Sequence, residues 1–441
     1  MNASLPIRIM EPVPDSKRSA VAERFKLLKA PGPDVQAGDL AAVKRHLREV
    51  REYAADNLEG LEKELTRILP DRYPEVRTRL AATAGEAVEY IQGVAAGKVI
   101  LTNNSAVVRR ELKPQLQSRG FTVWNSYRQE FEPTQKGIND YWDLPRLLDR
   151  NLSFDFEVSR RLSGLPPANG EVKECVALLG VNAVSAADGT VFFLQHFTNI
   201  YKDLERARQV VIVVGLDKLA KDAEDAFFQA RCMGLFGAES MLFEVQPGVP
   251  GPGGEPPVLE PSAALAEKGR ELHFLMLDNG RKSLLQSKFR ELFLCIGCRA
   301  CNQRCPIRHS FTEVDWVWTP RNYLKQFLDG AIRSIDVCLH CESCRLACPL
   351  EIDLPHLMWE AKLDHVRKHG VPLSHMVLGR SELMAKAGSM VAPLANYGMQ
   401  IKPVRWAMEV AVGIHREVRM PPFHRETFAA WFAERRKGGE K

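Results

Sequence analysis

Two runs of cysteine share one spacing in this chain. Cys295, Cys298, Cys301 and Cys305 form the first, closed by Pro306. Cys338, Cys341, Cys344 and Cys348 form the second, closed by Pro349. Each reads C-x2-C-x2-C-x3-C-P. Ten of 441 residues are cysteine, so one such run arises by accident in roughly one comparable chain in 10⁴. Two of them point to a shared physical purpose. Cysteines this close within one turn make a poor disulfide framework, so a reducing compartment and metal ligation are expected.

The spacing is that of bacterial ferredoxins, and two [4Fe–4S] clusters are the expected cofactors. Three thiolates at this spacing wrap one face of an iron–sulfur cube in a tight turn. The amides of that turn point at the sulfurs and offset the cluster's negative charge. In two-cluster proteins the fourth cysteine serves the other cluster. The expected ligand sets are therefore Cys295, Cys298, Cys301 with Cys348, and Cys338, Cys341, Cys344 with Cys305. Zinc is the competing metal, but zinc sites use two C-x2–4-C pairs with four ligands in all. Intact clusters that only staple the fold are a second alternative. Arg299, Arg304, Arg308, His309, His340 and Arg345 flank the thiols. They read either as cations that raise cluster potential or as solvated charge and a docking patch. Cys175 and Cys232 stand apart in apolar segments and read as small buried hydrophobes.

Lysine and arginine number 60 against 55 acidic residues. That small excess gives no basis for nucleic-acid binding. No apolar run approaches the ~20 residues that span a bilayer, and the first residues lack a signal-peptide core. The expectation is a cytoplasmic protein, with peripheral attachment at the inner face of a membrane available through partners.

Four regions are expected: an arm over 1–38, an α/β domain over 39–285, a two-cluster domain over 286–365, and a helical tail over 366–441. Leu40, Val43, Leu47 and Val50, then Leu58, Leu61, Leu65 and Ile68, recur at helical spacing. A third helix is expected over about 75–96. "KVILTNN" and "FTVW" read as strands flanking a helix with Asn104 or Ser105 as N-cap, Pro114 inside it and Gly120 as its stop. Apolar runs at 174–181, 189–194, 209–216, 240–245 and 272–277 read as further strands, several of them covered on both faces. A helix is expected over about 219–235. Residues 246–261 carry six prolines and four glycines and read as a surface loop. The fold class expected is α/β: a three-layer domain with N-terminal helices, then helical cluster and tail segments.

The stretches "KVILTNNSAVVRREL", "GVNAVSAADGTVFFL", "ARQVVIVVGLDKLAKDAEDA" and "HFLMLDNGRKSLLQSKFRELFLCIGCRACNQRCP" resemble the lactate-utilisation (LUD) family, as in the iron–sulfur subunit (protein B) of L-lactate utilisation complexes. "CLHCESCRLACPLEIDLPHLMWEAK" and the tail resemble the iron–sulfur component of anaerobic glycerol-3-phosphate dehydrogenase. "TPRNYLKQFLDG" is similar to the iron–sulfur subunit of heterodisulfide reductase. These resemblances imply an electron relay between a dehydrogenase or flavoprotein and another carrier, with lactate or another 2-hydroxy acid oxidised on a separate chain. The latter two families use cysteine-rich CCG domains. None occurs up to Lys441, so the resemblance implies a CCG-type or quinone-linked partner docked on the helical tail.

No G-x-G-x-x-G or P-loop sequence occurs. Ser105, Asp188–Thr190 and Asp278–Arg281 are candidate ligand positions in the α/β domain. Their plainer readings are an N-cap, a turn and a brace for the cluster region. Two functions follow: a non-catalytic iron–sulfur electron-transfer subunit, or an enzyme whose α/β domain itself binds a small acid or thiol.

Overall fold

The computed structural model describes residues 5–10, 37–125, 175–194, 200, 203–204, 207–236, 258–259, 270–307 and 319–438. The strand expected at 240–245, most of the proline–glycine loop, Arg308 and His309 lie outside them. The chain divides into two compact units, Met1–Met358 and Trp359–Lys441.

The first unit is mixed α/β. Its described strands are β1 (Ile7–Met10), β2 (Val76–Ala81), β3 (Val99–Thr102), β4 (Val123–Asn125), β5 (Cys175–Gly180), β6 (Ala183–Ser185), β7 (Val191–Leu194), β8 (Gln209–Gly215), β9 (Leu219–Ala220), β10 (Val258–Leu259) and β11 (Glu271–Leu277). Six of them form one sheet in the order β2-β11-β8-β5-β3-β4. Every pairing in it is parallel, with Leu272 opposite Val210 and Leu178 opposite Val211. All side chains from Val210 to Val214 are fully buried, as a parallel sheet covered on both faces requires.

Helix α1 (Ala37–Asp56) and helix α2 (Leu58–Arg72) form where the helical stripe is read. The third helix does not begin at residue 75. Residues 76–81 are β2, an edge strand paired with β11, and α3 runs Ala84–Ala95. The stretch "VRTRLA" mixes β-branched and charged side chains, which suits an edge. Thr83 then accepts from the Glu86 amide as N-cap. Ala87, Val88 and Ile91 of α3 pack with Ile100, Leu178, Val213 and Leu275 of the sheet. Each aliphatic side chain larger than alanine buried there contributes about 1.5–3 kcal/mol. After β3 the chain makes a π-helical turn, Val107–Leu112, before α4 (Lys113–Ser118). Pro114 sits in the first turn of α4, where its missing N–H costs little.

A second sheet goes beyond what the sequence patterns suggest. Its order is β10-β1-β7-β6-β9. Residues 7–10, within the segment read as an arm, supply its buried strand β1, parallel to β7 and antiparallel to β10. The run at 189–194 joins this sheet as β7. β6 and β7 form a hairpin whose turn is Asp188–Thr190. Asp188 accepts from the Thr190 amide and hydroxyl at 3.0 and 2.8 Å, and Gly189 takes φ 78°. Helix α5 (Ala223–Phe236) packs on β6 and β7.

After β11, short helices α6 (Arg281–Leu285), α7 (Glu291–Leu294), α8 (Ala300–Gln303), α9 (Pro320–Leu328) and α10 (Ser343–Ala347) carry the cysteine region, and α11 (Leu354–His369) follows.

The second unit contains α12 (Leu373–Leu378), α13 (Ser381–Met390), α14 (Ala392–Gly398), α15 (Lys402–Val412) and α16 (Phe428–Gly438). Three of its prolines start helices: Pro372 is the N-cap of α12, and Pro393 and Pro403 lie in the first turns of α14 and α15. Arg405 is buried and donates to the carbonyls of Arg416 and His415. Leu373, Leu383, Met390, Leu394, Trp406, Val410 and Phe428 are exposed. Among the described residues no helix is long and apolar enough to cross a membrane.

Candidate functional site

The two cysteine loops have one backbone plan. Gly297 and His340, each just before a second cysteine, adopt φ 86° and 50°. Arg299 and Glu342, each just after it, adopt 66° and 61°. A short helix follows in both, α8 and α10, held by Asn302 N–H to Arg299 O and by Arg345 N–H to Glu342 O, each 2.9 Å. The fourth cysteines then bond back, Cys305 N–H to Asn302 O and Cys348 N–H to Arg345 O. Three of these left-handed residues carry side chains and cost of order 1–3 kcal/mol each. Alternating right- and left-handed residues turn successive amides to one side and form a concavity that attracts anions.

Helices α8 and α10 pack against each other. The thiols are therefore neighbours across the two runs. Burial pushes the Cys301 thiol well above its ordinary value, and Cys295, Cys298, Cys348 and Cys344 add to that. Burial pushes Cys344 up to about 12, helped by Cys338 and Cys305. Burial, with Cys295, pushes Cys348 up to about 11. Cys341 is exposed, and the hydroxyl and amide of Ser343 lower its pKa. Among the described residues no three His, Cys, Asp or Glu side chains are drawn together tightly enough to hold one metal ion.

Two cations from the α/β core reach the first loop. Arg51 of α1 is fully buried and bonds the carbonyls of Phe293 and Leu294, immediately before Cys295. It also bonds Leu219 O, Asp217 O and Gln229 Oε1. Burial lowers its pKa to about 10, against the opposing pull of Asp217 and Cys295. Lys218 donates to Ile296 O at 2.9 Å, inside the loop. Nothing in the local sequence marks Arg51. It lies in a charged helical stretch, and only the fold turns it inward.

Beyond the carboxyl ends of β3, β5, β8 and β11 lies a cavity of about 140 Å³. Asn103, Ser105, Lys218, Arg299, Arg321 and Cys295 contribute to its walls. Ligands bind at this edge in open α/β sheets. The structure brings Ser105 and Arg281 to this one cavity, and Asp188–Thr190 is not among its walls. Asn103 clamps Gly180 through both amide atoms at 2.7 and 3.0 Å. Arg281 is committed to Glu111 (2.8 Å) and to Asp217. Burial alone would raise the Asp217 carboxyl, but Arg281, Lys218 and Arg321 hold it well below the usual range. Asp278 accepts from the Lys282 amide, and Asn279 bonds the Ala84 amide and Glu111. These residues brace the sheet edge. Cys175 and Cys232 are buried, as expected for small hydrophobes.

The curated proteins that match include several called lactate utilization protein B. That of Bacillus cytotoxicus is 25% identical over 289 residues, covering 60% of this chain and 58% of that protein. That of Bacillus cereus is 24% identical over 284 residues, covering 59% and 57%. This chain thus spans less than three-fifths of these relatives. These likenesses are distant, and they agree with the lactate-utilisation resemblance carried by the sequence stretches. No family model matches the chain, and no solved structure matches it.

Proposed function

We propose that the chain is an iron–sulfur electron-transfer subunit of a multi-subunit oxidoreductase with a role in lactate or related 2-hydroxy acid metabolism, and that its eight clustered cysteines hold two [4Fe–4S] clusters. The observation that carries this reading is the repeated loop: left-handed backbone at the same two positions around the same thiol spacing. The donor set fits the group. A four-iron cube is wider than one ion, so its ligand sulfurs stand further apart than a single metal would allow. The crowded thiols resist losing their protons until a cationic core compensates them. α8 and α10 pack together, and Cys295 acts on the Cys348 thiol and Cys305 on the Cys344 thiol across the two runs, which supports the crossed ligand sets.

When bound, such clusters supply reversible one-electron storage. The chain's own residues position and shield them. Arg51 fixes the entry to the first loop and Lys218 holds its second carbonyl. Leu292, Phe293, Leu294 and Ile296 keep water away on that side. The exposed apolar side chains of the second unit suit a docked partner, such as a CCG-type or flavoprotein subunit. Protein purified without oxygen is expected to contain about eight irons and as many acid-labile sulfides, and to show reversible reduction by electron paramagnetic resonance. Colourless protein that stays iron-free after anaerobic reconstitution would overturn the reading.

A second reading has its own support. The cavity at the sheet edge has Lys218, Arg281, Arg299 and Arg321 against Glu111 and Asp217 in its walls, a cationic excess that suits a small acid, and it abuts the first cysteine loop. Arg281 is held by two carboxylates and Lys218 by one, at 3.6 Å, so Lys218→Gln disturbs the sheet edge less and is the probe of choice. Calorimetry with small 2-hydroxy acids is expected to give saturable binding that this variant weakens.

A further inference from the structure

The two loops share a backbone but carry opposite charge. Arg299 in the first and Glu342 in the second occupy the same place, directly after the second cysteine, at nearly the same φ. Around the first loop stand Arg51, fully buried, and Lys218, bonded inside the loop. Lys218 has Asp217 at 3.6 Å, but that carboxylate is shared with Arg281. The second loop has Arg345 at the equivalent of its short helix. That guanidinium is held by Glu342 at 3.1 Å and Asp353 at 3.6 Å, so two carboxylates surround one cation. Exposure differs too. The first loop lies against the α/β core, with Ile296 and Cys298 buried, whereas Leu339 and Leu346 of the second are 64% and 73% exposed and Cys341 is open to solvent.

Reduction adds one negative charge to a cluster, so neighbouring cations favour it and neighbouring carboxylates oppose it. Water around the exposed loop also favours reduction, which works against the asymmetry. Fixed charges inside the protein act more strongly, however. At equal distance their effect is roughly fourfold that across bulk water. Charges at the open second loop are screened by salt as well.

We infer that the pair is electrostatically polarised, resting on the reading that both loops hold clusters: the centre on Cys295, Cys298 and Cys301 has the higher potential, and the solvent-facing centre on Cys338, Cys341 and Cys344 is where electrons enter from a one-electron carrier protein. With both clusters bound, the charges around the first loop would favour one electron passing inward from the second centre, which would be oxidised by one as the first is reduced by one, with no proton or bond exchanged.

The test is a potentiometric titration of the anaerobic holoprotein with dithionite, followed by electron paramagnetic resonance. Arg299→Glu, Glu342→Arg and the double swap are compared with the parent. Each new side chain already occupies that backbone conformation in the sister loop, so folding is expected to survive. Two separated midpoints are expected in the parent. Arg299→Glu lowers only the higher one, Glu342→Arg raises only the lower one, and the swap narrows the gap or reverses it. Lys218→Gln, read the same way, also lowers the higher midpoint. Unchanged midpoints in variants that keep their full iron would overturn the polarity while leaving the electron-transfer reading intact. So would a shift of the lower midpoint by Arg299→Glu. Protein that cannot be loaded with iron would overturn both.

Discussion

Arg281 Nη2 donates to Glu111 Oε1 at 2.8 Å, joining the end of β11 to the π-helical turn after β3. The same guanidinium bonds Asp217 after β8, so one cation ties three segments at the carboxyl edge of the sheet. All three side chains are largely buried. Removing one member of a buried ionic network strands the others, at about 3–5 kcal/mol. Arg281→Gln is therefore expected to lose that much in a denaturant titration, while Arg67→Gln, in an exposed pair with Asp71, changes little.

The Asp217 carboxyl is held below its ordinary value by Arg281 against the cost of burial. Its folded pKa lies below its unfolded one. Its contribution is thus complete above the unfolded pKa and is lost as the pH falls through the folded one. Stability is expected to fall steeply below about pH 4. Asp217→Asn should be less stable at neutral pH and show a shallower acid slope. Thermal melting across pH measures both, and parallel slopes would count against the network.

The proposed crossed ligand sets make a distinct prediction. Cys348→Ser is expected to disturb the paramagnetic signal of the first loop's centre, and Cys305→Ser that of the second. Each variant is expected to retain the other centre. Signals altered in the opposite assignment would show that each run serves its own cluster.

Gly180 ends β5 where Ser105 crosses it. A Cβ there would meet Ser105 Oγ at 2.0 Å and Ser105 Cβ at 2.4 Å. Gly180→Ala is expected to cost about 1–3 kcal/mol through overpacking. Ser105→Gly in the same chain should recover part of it, which equilibrium unfolding reads directly.

Burial pushes the Cys232 thiol up to about 12. It is expected to resist alkylation at pH 8 in the folded chain and to react on denaturation. Mass spectrometry with iodoacetamide distinguishes the two states.

Much of the first unit is legible in the sequence, and the limits are physical. The continuous runs at 174–181, 209–216 and 272–277 hold β5, β8 and β11 of the parallel sheet, because a two-sided interior leaves no alternation to misread. Helix α3 starts later than its periodicity suggests because Val76–Ala81 is an edge strand whose charged side chains blur its period. The second sheet is hidden because its strands are short and β1 pairs with β7 from a distant part of the chain. At the site, Ser105 and Arg281 are visible from their positions at strand ends. Arg51 and Glu111 are not, since each acts through a contact made only when the chain closes.

β1 lies between β10 and β7, its Ile7 and Ile9 fully enclosed. Residues near the start of the chain are thus interior parts of the molecule. An expression product begun after Met10 would leave β7 with a bare row of amides and carbonyls, an invitation to self-association.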